Sequence, residues 1–195
     1  MPVQLSFAGF KSETPRSDRL FFAILPNEDA AARIARLAQD LRGEHGLRGQ
    51  PLRTGHFHIS LHHLGDHVGL PSVVVAAARG AAADVAAPQF DVAFDRVASF
   101  AGGRVNQPLV LLGSDGFAAL TAFRQVLGAM MAKGGLGHWV QPQKTPHLTL
   151  LYDERRVSEQ TIATIGWTVR EFVLVHSLVG RSRLVVLARW PLQAR

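Results

Sequence analysis

Cysteine is absent from the 195-residue chain, which excludes disulfides, thiolate metal sites and cysteine nucleophiles. Any chemistry must come from histidine, carboxylates, hydroxyls or a bound metal. Lysine is scarce, occurring only at Lys11, Lys133 and Lys144, so arginine supplies most of the 21 basic side chains set against 15 acidic ones. The formal charge of +6 is compatible with an anionic ligand, although a solvated arginine-rich surface gives the same excess. Long apolar runs are missing too. The alanine-rich stretch 72–87 is broken by Arg79 and Asp84, and residues 1–19 carry Lys11, Glu13, Arg16, Asp18 and Arg19. Neither a membrane span nor a secretory leader is predicted. A cytoplasmic location without a membrane partner is the expectation that follows.

Hydrophobic residues make up 47% of the chain, enough for a core of its own. Residues 1–18 lack any sustained period and read as a flexible leader, with one folded domain over 19–195. The run 19–25 is a continuous apolar strand ended by Pro26. Asn27 followed by Glu28 and Asp29 is a helix N-cap with acids in the first turn, and Ala30, Ile34, Leu37, Ala38 and Leu41 recur at helical spacing. Residues 56–62 alternate with period two and predict a strand. Helices are expected over 72–86 and 115–133. Further strands are expected over 90–100, 108–113, 146–152, 168–179 and 183–188.

Two segments carry the chemistry, His58-Ile59-Ser60-Leu61 and His147-Leu148-Thr149-Leu150. Residues two apart in a strand share a face, so each segment offers an imidazole beside a hydroxyl while its apolar residues turn inward. The histidines and the hydroxyls are each 89 positions apart, and each motif follows a strand and a helix. This is a weak internal repeat. If the two strands lie side by side, the four polar groups converge on one cleft. Opening a cyclic phosphodiester needs a base that deprotonates water and an acid that protonates the departing oxygen, on opposite sides of phosphorus. Two imidazoles titrating near neutrality fill both roles, and the hydroxyls can donate to the non-bridging oxygens. A lone His-x-Ser/Thr is an ordinary strand sequence; the pair in matched context is specific.

These paired segments resemble the motifs of the two-histidine (2H) phosphoesterases, in particular the RNA 2',3'-cyclic phosphodiesterases also called 2'-5' RNA ligases. The likeness extends to the opening strand Arg19-Leu20-Phe21-Phe22-Ala23-Ile24, to Leu64-Gly65, Thr145-Pro146 and Trp190-Pro191-Leu192. It implies an α+β fold of two lobes related by a pseudo-twofold, each an antiparallel sheet with helices outside, and a cleft between them. It further implies His58 as proton donor, His147 as proton acceptor, Ser60 and Thr149 as phosphate-binding groups, and a 2'-phosphomonoester as product. No cofactor is implied. The implied partner is RNA with 2',3'-cyclic phosphate ends, tRNA fragments included, acted on by a monomer; reversal through the same histidines would join 2'-5' ends. Ser60 replaces the commoner threonine, and Leu151-Tyr152 stands where many relatives place a basic residue.

Arg53, His56, Lys144 and Tyr152 are further candidates for substrate binding, the cations for phosphate and Tyr152 for stacking on a base. His56 and His62 are expected on the face of His58. The cluster His56, His58, His62, His63 and His67 raises the question of zinc, but no further ligand stands at a recognised spacing, and no metal site is assigned. Two other readings stay open: action on a small cyclic nucleotide, and RNA-end binding with incidental turnover.

Overall fold

Asn27 accepts a hydrogen bond from the Ala30 amide at 2.8 Å and starts helix α1, Glu28–Glu44, where the sequence predicts it. Ala30, Ile34, Ala38 and Leu41 form its buried stripe, at the spacing that one helical face requires. The other helices are α2, Ser72–Ala83, and α3, Ala118–Met131, which buries Leu120, Phe123, Leu127 and Met131. The computed structural model describes residues 17–100, 105–114, 117–142, 145–178, 180 and 183–194.

The strands are β1, Asp18–Ile24; β2, Ile59–His67; β3, Phe90–Ser99; β4, Gln107–Leu112; β5, Leu148–Asp153; β6, Gln160–Val169; β7, Glu171–Leu178; and β8, Arg183–Pro191. They form one antiparallel sheet in the order β6-β3-β4-β5-β2-β1-β7-β8. The two four-stranded halves touch through one pair, Ile59 with Leu148. Each half repeats strand, helix and motif strand, as β1-α1-β2 and as β4-α3-β5. In place of the expected two sheets there is one, whose two four-stranded halves join at the motif strands.

All three helices cover one face of the sheet. The large core lies there, with Phe22, Phe94 and Phe172 fully buried, each contributing about 2–3 kcal/mol by leaving water. The opposite face is open and carries two small apolar patches, Phe21, Ala23, Val173 and Val175 on one half and Ala98, Val110 and Leu112 on the other.

Several expected boundaries move. The strand expected from residue 56 begins at Ile59, because Thr54–His56 forms a 3-10 turn instead. The strand expected over 168–179 is two, β6 and β7, reversing at Arg170. β6 lies on the sheet edge, exposed or half-buried over 160–164, while Ile165, Trp167 and Val169 alternate into the core in its second half. β1 opens at Asp18, within the stretch read as a leader, where the carboxylate accepts from Ser17 Oγ, His176 Nε2 and the Gly69 amide. The rest of that stretch, 1–16, lies outside the described residues.

Candidate active site

His58 and His147 each sit one residue ahead of their strands. Nδ1 of His58 lies 2.7 Å from the carbonyl oxygen of His56, and Nδ1 of His147 lies 2.9 Å from that of Thr145. A carbonyl only accepts, so Nδ1 must carry the proton and Nε2 is left to face a ligand. Each ring also packs against an aromatic neighbour. Phe21 lies 5.0 Å from His58 and Phe100 4.8 Å from His147, centroid to centroid. Both imidazoles are thus fixed by the same two devices, a carbonyl two residues upstream and a ring at the side.

The Ile59–Leu148 pair sets the cross-strand geometry. Both residues are buried in the helix-covered core, so their neighbours on either side project from the open face. Continuing the antiparallel register by one step places His58 opposite Thr149 and Ser60 opposite His147. Imidazoles and hydroxyls therefore alternate around the seam between the two halves. Ser60 is exposed and Thr149 half-buried.

Beyond each hydroxyl the strand slips its register. On β2, Ser60 pairs with Ala23 but His63 with Phe21; on β5, Thr149 pairs with Val110 but Tyr152 with Pro108. In both, three residues on the motif strand span two on its partner, a β-bulge that returns the third residue to the open face. His63 and Tyr152 are accordingly counterparts, again 89 positions apart. The same slip overturns the expectation for His62. Its side chain turns to the helix-covered face, 3% exposed, with Nε2 donating to the Arg124 carbonyl at 3.0 Å. Period-two parity assumed an unbroken strand; the bulge exchanges His62 for His63.

Burial, with the neighbouring His147 and His56 adding to it, holds the pKa of His58 below the ordinary imidazole value, against the pull of the His56 carbonyl. Asp66 accepts a bidentate pair from Arg19, at 2.7 and 2.8 Å, and lies 3.1 Å from His63 Nε2. The Arg19 guanidinium lowers its pKa to about 2. Arg19, from β1, with His63 and Asp66 thus forms a hydrogen-bonded polar group further along the open face. Sequence reading assigned none of them to the site, although the shared 89-residue offset would have picked out His63.

Of the other candidates, Arg53 is exposed at the start of the 3-10 turn, and His56, half-buried, is close enough to His58 to influence its charge. Tyr152 is 47% exposed on the open face. Lys144 lies outside the described residues. The five histidines of the first cluster do not converge, since His62 is buried on the far side, His63 pairs with Asp66 and His67 Nε2 meets the Leu64 carbonyl. Among the described residues no three His, Asp or Glu side chains group as a metal site.

A two-half antiparallel sheet with a His-x-Ser/Thr segment in each half is the architecture of the two-histidine phosphoesterases. The chain belongs to the 2'-5' RNA ligase superfamily, whose family model matches residues 33–181. E. coli LigT complexed with 3'-AMP is similar at 26% identity and TM-score 0.69, covering 90% of this chain and 98% of that one. A structure described as a phosphoesterase matches at 26% identity and TM-score 0.66, covering 90% and 99%. TT0787 of Thermus thermophilus, at 17% identity and TM-score 0.70 over 91% and 99%, shares the fold. No curated protein sequence matches the chain. No helix among the described residues is long and apolar enough to cross a membrane.

Proposed function

We propose that the protein hydrolyses RNA 2',3'-cyclic phosphate ends to 2'-phosphomonoesters, using His58 and His147 as acid and base. The observation that carries this reading is the seam itself, where two imidazoles whose Nε2 atoms bond no described residue come from different halves to either side of one bridged pair. His147 takes a proton from water as its oxygen attacks phosphorus; the bond from phosphorus to the ribose 3' oxygen breaks, and His58 gives that oxygen its proton. Ser60 and Thr149 donate to the non-bridging oxygens, where charge gathers. The balance closes with these side chains and water alone. That the similar LigT was crystallised with 3'-AMP supports a nucleotide end as substrate. Tyr152 stacks on a base, Arg53 and Lys144 attract phosphate, and His56 lines the cleft beside His58. The reading extends to a monomer acting in the cytoplasm, on ends such as those of tRNA fragments.

With its pKa held low, His58 is largely neutral in the free protein at neutral pH. The phosphate's negative charge, arriving between the rings, favours the imidazolium and so loads the acid when substrate is present. A panel of cyclic-phosphate oligonucleotides and cyclic mononucleotides tests the reading. Oligonucleotide ends should be opened, with turnover lost in His147→Ala. Preference for mononucleotides, with no gain from added 5' residues, would remove RNA as the substrate.

A further inference from the structure

On the helix-covered face, directly behind the bulge of β2, a cavity of about 290 Å³ lies between that strand, α3 and the segment following α3. Arg124, His62, Gln125, Gly128, Val140 and Gln141 line it. Arg124 is 8% exposed, yet its guanidinium has no hydrogen bond or ion pair with any described residue, and burial alone pulls its pKa down. The guanidinium nitrogens stay open to solvent in the cavity, and no lining residue is a carboxylate, so the site lacks a counter-charge. His62 does not supply one. Its Nε2 is committed to the Arg124 carbonyl, and its Nδ1 is buried without a partner. Burial and the adjacent Arg124 hold the ring neutral at neutral pH.

We propose that this cavity binds a small organic monocarboxylate, its carboxylate paired with the Arg124 guanidinium and its apolar body against Val140 and Ala129. A guanidinium fork matches a carboxylate through two parallel hydrogen bonds. One cation balances one negative charge, whereas a phosphate dianion in the same enclosure would keep a charge unpaired, because His62 supplies none. The close packing of the wall fits a small ligand. A methyl group at Gly128 would meet Val140 Cγ1 at 3.2 Å and His62 Nε2 at 3.4 Å, so that side has no room to widen. The pocket opens on the opposite side of the sheet from His58 and His147, and the proposal does not depend on the reaction assigned to them.

Benzoate and inorganic phosphate, titrated separately by calorimetry into the full chain, test it. Benzoate should bind saturably at one site. Arg124→Met should weaken it at least about tenfold and Arg124→Lys less, since charge survives but the fork is lost. His147→Ala should leave it unchanged. In ligand-free buffer Arg124→Met should melt close to wild type, since methionine keeps the covered apolar stem and no hydrogen bond to a described residue is lost. Three results would overturn the proposal: no saturable benzoate binding, benzoate binding indifferent to Arg124→Met, or phosphate binding through Arg124 more tightly than benzoate.

Discussion

The two motif strands are alike in front and unlike behind. Facing the open side, β2 and β5 place an imidazole, a hydroxyl and, after a bulge, His63 or Tyr152 in the same order and spacing. Facing the helices, β5 buries only Leu148, Leu150 and Leu151 before Asp153, while β2 buries His62 against α3 beside the Arg124 cavity. Their ends differ as well. Asp153 is 4% exposed; burial opposes its charge, but amide donors from Gly49, Arg155 and Arg48 prevail and hold its pKa down, tying the loop before the first motif to the end of the second. Gly49 must be glycine here, since a Cβ would lie 2.0 Å from the Tyr152 carbonyl oxygen. The repeat therefore resides in backbone register and in the way each imidazole is held, and it leaves the supporting side chains free to diverge.

The comparison breaks first at the histidines. His58→Ala and His147→Ala should each lower turnover of a cyclic phosphate roughly 10²- to 10⁴-fold. Their roles separate with an activated phosphodiester whose leaving group needs no protonation: His58→Ala should recover much of its rate there and His147→Ala should not. Equal recovery by both would erase the distinction between acid and base. The hydroxyls come next. Ser60→Ala and Thr149→Val should each cost roughly tenfold to a hundredfold in kcat, as losses of single donors to a charged oxygen do. A large effect at one strand only would show that the two halves do not share the phosphate equally.

A smaller effect sharpens the electrostatic side of the comparison. Followed by NMR, His58 should titrate below the ordinary imidazole value of 6.5, from burial first and His147 second, and His147→Gln should move it upward. As a proton donor with a lowered pKa, His58 loses its proton early as pH rises, so kcat/KM should fall on the alkaline side before an unperturbed imidazole would require. A His58 that titrates at or above 6.5 in the free protein would contradict this. The smallest effect concerns the polar group of Arg19, His63 and Asp66. Asp66→Asn should cost about 1 kcal/mol of stability at neutral pH, given its part-exposed pair with Arg19. Its folded pKa of about 2 lies below the ordinary carboxylate value of 3.8, so that contribution is present above 3.8 and lost as pH falls through 2. Denaturant midpoints of both proteins should converge over that interval.

Much of this was legible in the chain. The N-cap at Asn27, the apolar stripe of α1 and the paired His-x-Ser/Thr segments each rest on local spacing, which sequence displays directly. Register slips are not local. The bulge after Ser60 depends on pairing with β1, and nothing within 56–63 signals that His62 faces α3 and His63 the open side. The same holds for Arg19 and Asp66, which meet across a strand pair, and for Phe21 on the adjacent β1 and Phe100 just past the end of β3, whose rings reach the histidines. The edge strand β6 is different: Ile165, Trp167 and Val169 alternate as a half-buried strand should, a short signal that the exposed half before it, 160–164, obscures.

In the proposed reaction two imidazoles, supplied by different halves of the sheet, act together on one phosphorus. A double-substitution cycle tests this most directly, with single-turnover rates on a cyclic-phosphate RNA for wild type, His58→Ala, His147→Ala and the pair. Groups that act as a unit are strongly non-additive, so the double variant should be no more than a few-fold slower than the slower single one. Losses that multiply would mean that the two histidines work independently and not on one phosphorus.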